Sequence, residues 1–83
     1  MSVEITQVTS ALLEFRQGNS DKMYAAIVLK FGDLGYKVHF KYGKRHAMHN
    51  TYLEPAEPTH YGDAMLIYQK MIDKKIKKGY RLL

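Results

Sequence analysis

Between Tyr36 and Tyr42 apolar and basic residues alternate without a break. Tyr36, Val38, Phe40 and Tyr42 share one face, and Lys37, His39 and Lys41 share the other. A repeat of two is the repeat of a strand, so the pattern predicts an antiparallel strand with one buried and one wet side. Gly43 is expected to end it. Ser10–Arg16 reads as an earlier strand, with Leu12, Glu14 and Arg16 on one face and Leu13 and Phe15 on the other. Gln17-Gly18-Asn19-Ser20-Asp21 is a turn by composition, because Asn, Ser and Asp side chains bond their own backbone. Residues 22–31 are rich in β-branched and aromatic side chains and predict a central strand. Gly32-Asp33-Leu34-Gly35 predicts a short hairpin connection. His49–Glu54 predicts a further short strand, and Pro55 and Pro58 punctuate a loop after it.

From residue 64 the period changes. Ala64, Ile67, Tyr68, Met71 and Ile72 fall within one arc at 100° per residue, with Met65 and Ile76 at its margin and Lys70, Lys74, Lys77 and Lys78 outside it. This is an amphipathic helix. Thr59, Tyr61 and Asp63 all lie near its start, and the pattern does not choose an N-cap among them. Gly79 is placed as the residue that closes the C-terminus, with lysines before it complementing the helix dipole. Lys75 breaks the pattern by falling inside the apolar arc. Either its stem covers the sheet while the ammonium escapes past the helix end, or it is a fixed cation with a carbonyl or acidic partner. The two periodicities together predict an α+β fold: a twisted antiparallel β-sheet with one C-terminal α-helix packed across it. Tyr24, Ile27, Phe40, Ile67, Tyr68 and Met71 are the expected core.

The chain has 83 residues, enough for one domain over 1–83. No repeat or linker divides it. There is no cysteine, so disulfides and thiolate metal sites are excluded. Met-Ser-Val-Glu-Ile-Thr-Gln lacks the features of a secretory signal, and no apolar run approaches the ~20 residues that span a bilayer. A cytoplasmic protein with no membrane partner is expected. The net charge is +5 and the isoelectric point about 9.5, a balance that favours polyanions.

Catalysis finds little support in the residues. Glu54 and Glu57 have no evident acid/base partner, the serines lack a nucleophile-elbow context, and the glycines form no phosphate-cradling motif. A non-enzymatic chain without cofactor is expected. His46, His49 and His39 form a loosely metal-like group beside Lys44 and Arg45, whose charge opposes a cation, so no metal site is expected. The basic cluster is the better candidate. Lys37, His39 and Lys41 point one way, Lys44 and Arg45 follow in the loop, Tyr42 offers a ring, and Gly43 permits close backbone approach. From Lys37 to His49 there is no acid.

Four segments together resemble the WGR domain, a module of this length found in poly(ADP-ribose) polymerases and in stand-alone or fused bacterial proteins. Leu13-Glu14-Phe15 and Gly18-Asn19-Ser20-Asp21-Lys22-Met23-Tyr24 are similar to its first strand and Asn-Lys-Phe-Tyr step. Lys41-Tyr42-Gly43-Lys44 lies where the family has Arg-Trp-Gly-Arg, and Lys75-Ile76-Lys77-Lys78-Gly79-Tyr80 matches its Lys-x-Lys-Lys-Gly-Tyr ending, so the resemblance implies a domain core of about 10–82. The signature Trp is thus Tyr42 and the signature Arg is Lys44, with Arg45 adjacent, and the glycine that usually follows is replaced near His46. In the polymerases the Trp-Gly-Arg region contacts the end of broken DNA, so the resemblance implies Tyr42, Gly43 and Lys44 as contacts; Arg45 is added from its charge. The expectation is a nucleic-acid-binding module, DNA favoured, using Lys37, His39, Lys41, Tyr42, Gly43, Lys44 and Arg45. The alternative is an adaptor whose basic surface meets an acidic protein.

Overall fold

The computed structural model describes residues 3–83. Four long strands form up-and-down hairpins: β1 (Ile5–Gln17), β2 (Ser20–Phe31), β3 (Tyr36–Lys44) and β4 (Ala47–Thr59). The helix α1 (Tyr61–Lys77) follows, then a two-residue strand β5 (Arg81–Leu82). The sheet order is β4-β3-β2-β1-β5, and every pair is antiparallel. The fold is α+β, as the two periodicities predict.

The strands run longer than the pattern suggests. Gln17 pairs with Ser20, so the five-residue turn shrinks to Gly18-Asn19 and Asp21 belongs to β2. β3 continues through Gly43 to Lys44, where Arg45-His46 makes the next turn. β4 contains both prolines that were read as loop. It is an edge strand, and Val38 opposes Glu54 whereas Tyr36 opposes Thr59, so Pro55 and Pro58 lie in a bulged stretch between the two pairings. Prolines are tolerated there because an edge or bulge does not need their missing N–H.

One face of the sheet is covered by α1 and the other is open. Leu13, Tyr24, Ala26, Val28, Val38 and Phe40 point toward the helix, which answers with Ala64, Tyr68 and Ile72 at four-residue intervals. The expected core holds for Tyr24, Phe40 and Tyr68. Ile67 and Met71 flank the buried stripe and are half-buried, since the stripe centres on Tyr68 rather than between the two rows. Ile27 is half-buried because strand alternation turns it away from the helix, opposite Val28. The N-cap is His60, outside the three candidates, and its side chain makes no capping bond. At the other end Gly79 adopts φ +107°; its N–H donates to the Ile76 carbonyl and the Tyr80 N–H to the Lys75 carbonyl, both at 3.0 Å. This pair of bonds is the Schellman motif, and it turns the chain back so that Arg81 can pair with Glu14 on β1.

Candidate nucleic-acid interface

Alternation along β3 divides the expected site between two faces. Tyr42 looks to the helix side, at the end of the sheet where α1 terminates; Lys37, His39 and Lys41 look to the open side. Tyr42 is 38% exposed and stacks on Tyr24, with ring centroids 5.5 Å apart and planes 17° apart. Tyr24 is buried beneath it and its hydroxyl is bonded to that of Tyr52 at 3.0 Å, so Tyr42 rests on a fixed platform. Lys44 opposes Lys22 across β2 and β3.

The helix end brings further cations to this platform. The Lys75 ammonium lies 4.5 Å from the Tyr24 ring centroid and 5.5 Å from that of Tyr80. Lys22 lies 5.6 Å from the Phe15 ring, which packs on Tyr80. Phe15, Lys22, Lys75, Lys78 and Tyr80 line a shallow concavity of about 390 Å³. Lys75 follows neither reading in full: its ammonium does not escape past the helix end but stands over two aromatic faces, with no acidic partner among the described residues. Burial, followed by the charges of Lys78, Lys74 and Lys22, pushes its pKa down. An ordinary lysine keeps its charge through hydration; this one is half-buried and has like charges around it.

Gly43 has a packing role within the sheet. Its φ is +152°, and a Cβ there would stand 2.5 Å from the Ala47 carbonyl oxygen and 3.1 Å from Met48 Cα. The close backbone is that of β4, at the bulge between Tyr42 and Lys44.

Arg45 is also engaged within the protein. Its Nε donates to both Asp21 carboxylate oxygens, at 3.0 and 2.9 Å, and its Nη2 donates to Glu14 Oε2 at 2.7 Å. The other Glu14 oxygen accepts from Arg81 Nη2 at 2.6 Å. The Arg45 hydrogen bond, with Arg81 next, holds the Glu14 carboxyl below its ordinary range, and Arg45 does the same for Asp21. Two carboxylates thus hold Nε and Nη2, and Nη1 carries no hydrogen bond among the described residues on a side chain 28% exposed. The acids were invisible in the run from Lys37 to His49 because β1 and β2 supply them.

The histidines do not gather. His39 bonds the Thr51 hydroxyl on the open face, His46 sits in the turn and His49 on β4; among the described residues no three His, Cys, Asp or Glu side chains form a metal-sized group. No helix among them is long and apolar enough to cross a membrane. The residues the sequence did not assign are Lys22, Lys78, Phe15 and Tyr80. The available signal was Lys75, whose place on the apolar arc marks where the helix end meets the aromatic platform. Compared with protein-family models, curated proteins and solved structures, the chain matches none.

Proposed function

We propose that this chain is a non-enzymatic, cytoplasmic nucleic-acid-binding module of the WGR kind, with DNA favoured over RNA. The observation that carries the reading is Tyr42 stacked on a fixed Tyr24 while Lys22, Lys44, Lys75 and Lys78 stand around the same end of the sheet. None of these lysines forms an ion pair among the described residues. Phosphates supply the missing counter-charge, and the exposed Tyr42 ring offers a surface for a base or a terminal pair. The resemblance adds that Tyr42 and Lys44 occupy the positions whose counterparts touch DNA ends in the polymerases. Lys41 and Lys37, with His39 between them, extend positive potential onto the other face and draw in the polyanion without touching the platform.

The test is a fluorescence-anisotropy titration with blunt, nicked and single-stranded oligonucleotides over a range of salt. Binding that weakens steeply with salt, and more for Lys22→Ala or Lys75→Ala than for Lys37→Ala, supports the reading. No binding at low salt overturns it.

A further inference from the structure

The open face of the sheet has a composition that phosphate binding does not explain. Ala25, Ile27 and Leu29 form a half-buried apolar column along β2, facing away from α1. On the same face Leu12 of β1 is 39% exposed and Leu53 of β4 is 45% exposed. Across the sheet, one row runs Ser10, Ile27, His39, Leu53 and the next runs Leu12, Ala25, Lys41, Thr51. Lys37, His39 and Lys41 thus border the apolar column along its length. The Lys37 ammonium donates to the Ala56 carbonyl at 2.7 Å and lies 5.8 Å from the Phe31 ring. Lys41 is exposed, and neither lysine has an ion-pair partner among the described residues. Glu14 and Asp21, which share this face, are neutralised by Arg45 and Arg81.

We propose that this face docks an acidic amphipathic α-helix of another protein. Alternate residues of a strand are ~6.6 Å apart, close to the ~5.4 Å pitch of a helix. A helix laid along β3 with one carboxylate per turn therefore meets Lys37, His39 and Lys41 in succession, while its apolar stripe covers Ala25, Ile27, Leu29 and Leu12. Charge and apolar patterning are both matched, as in helix-in-groove recognition. A duplex backbone would satisfy the cations but leave the leucines without a partner. A second copy of this chain would set one basic face against another.

The experiment uses the full chain, isotope-labelled for NMR, with a synthetic peptide about five turns long carrying leucines on one stripe and glutamates beside it. A scrambled peptide of equal composition and a DNA duplex are the controls. The expected result is saturable shifts at Leu12, Ala25, Ile27, His39, Lys41 and Leu53. Affinity should fall about tenfold or more for the scrambled peptide, for the Lys37→Glu/Lys41→Glu double variant and for Leu53→Asp. The exposure of Leu53 and Lys41 lets those variants fold, which thermal melts check. Equal binding of the scrambled peptide, shifts confined to the Tyr42–Lys75 end, or no saturable shift at millimolar peptide overturns the proposal. So does loss of duplex binding in parallel with peptide binding in Leu53→Asp, a position outside the proposed nucleic-acid surface, which would make the face part of that surface. Loss of peptide binding alone, with the duplex still bound, separates the two surfaces.

Discussion

Arg45 and Glu14 lie 31 positions apart in sequence and are joined by a 2.7 Å bond from the Arg45 guanidinium to the Glu14 carboxylate. Glu14 is 8% exposed, and two arginines converge on it, one from the middle of the chain and one from its C-terminal strand. This links the β3–β4 turn and the C-terminal strand to β1.

Acid titration should expose that link. A carboxyl whose folded pKa is depressed contributes stability that is present above its unfolded value, near ~4.3 for Glu, and lost as pH falls through the lower folded value. Both Glu14 and Asp21 are depressed, Glu14 by Arg45 and then Arg81, Asp21 by Arg45. Melting temperature should therefore fall below about pH 4, and Glu14→Gln should flatten that fall more than any variant of an unpaired surface acid such as Glu57. An equally steep acid limb in Glu14→Gln would count against the link.

Two of the positive-φ glycines should rank in order. At Gly43 an alanine Cβ meets β4 backbone at 2.5 Å, which cannot move without breaking strand pairing. At Gly79 it meets the edge of the Phe15 ring at 3.0 Å, and a side chain can yield. Gly79→Ala should cost roughly 1 kcal/mol, and Gly43→Ala more, in the range of about 1–3 kcal/mol for a forced backbone. Chemical denaturation of both variants checks the order.

Helix register makes a third prediction. Ile72→Ala removes a 5% exposed side chain and should cost about 2–5 kcal/mol. Ile76→Ala, at a position 46% exposed, should change stability by less than about 0.5 kcal/mol. Met71 should lie between them. Denaturant midpoints at constant m-value decide this.

The contrast between what the sequence made legible and what it did not follows from range. The alternation at Tyr36–Tyr42, the helix arc and the Gly79 stop are local patterns, and each element formed where its pattern lies. Pro55 and Pro58 misled because a proline reads as a strand breaker unless the strand is known to be an edge with a bulge, and edge position is a property of the whole sheet. Arg45 looked free because its partners, Glu14 and Asp21, come from other strands. Lys22 and Lys75 are 53 positions apart, and only the return of the helix across the sheet sets them beside one another. Ile27 and Val28 are both apolar, and nothing local tells which of them faces the helix.

Lys75 offers the sharpest separation of binding from folding. Its folded pKa is lowered by burial and by the neighbouring lysine charges, so the charged form is disfavoured in the free protein. For a base of this kind the penalty is present below the folded pKa and is relieved as pH rises through that value toward the unfolded ~10.4. Lys75→Met keeps the stem over Tyr24 and removes the charge, so it should melt no lower than the parent at neutral pH, and its advantage should shrink as pH rises. The same change should weaken nucleic-acid binding and make the log–log salt slope shallower by about one unit, if Lys75 contacts a phosphate. Tyr42→Ala should behave differently, losing about 1–3 kcal/mol on substrates that present a stackable base or end, with the salt slope unchanged. A Lys75→Met protein that is less stable yet binds every oligonucleotide with parental affinity and slope would make Lys75 a packing residue and remove the central cation from the proposed interface.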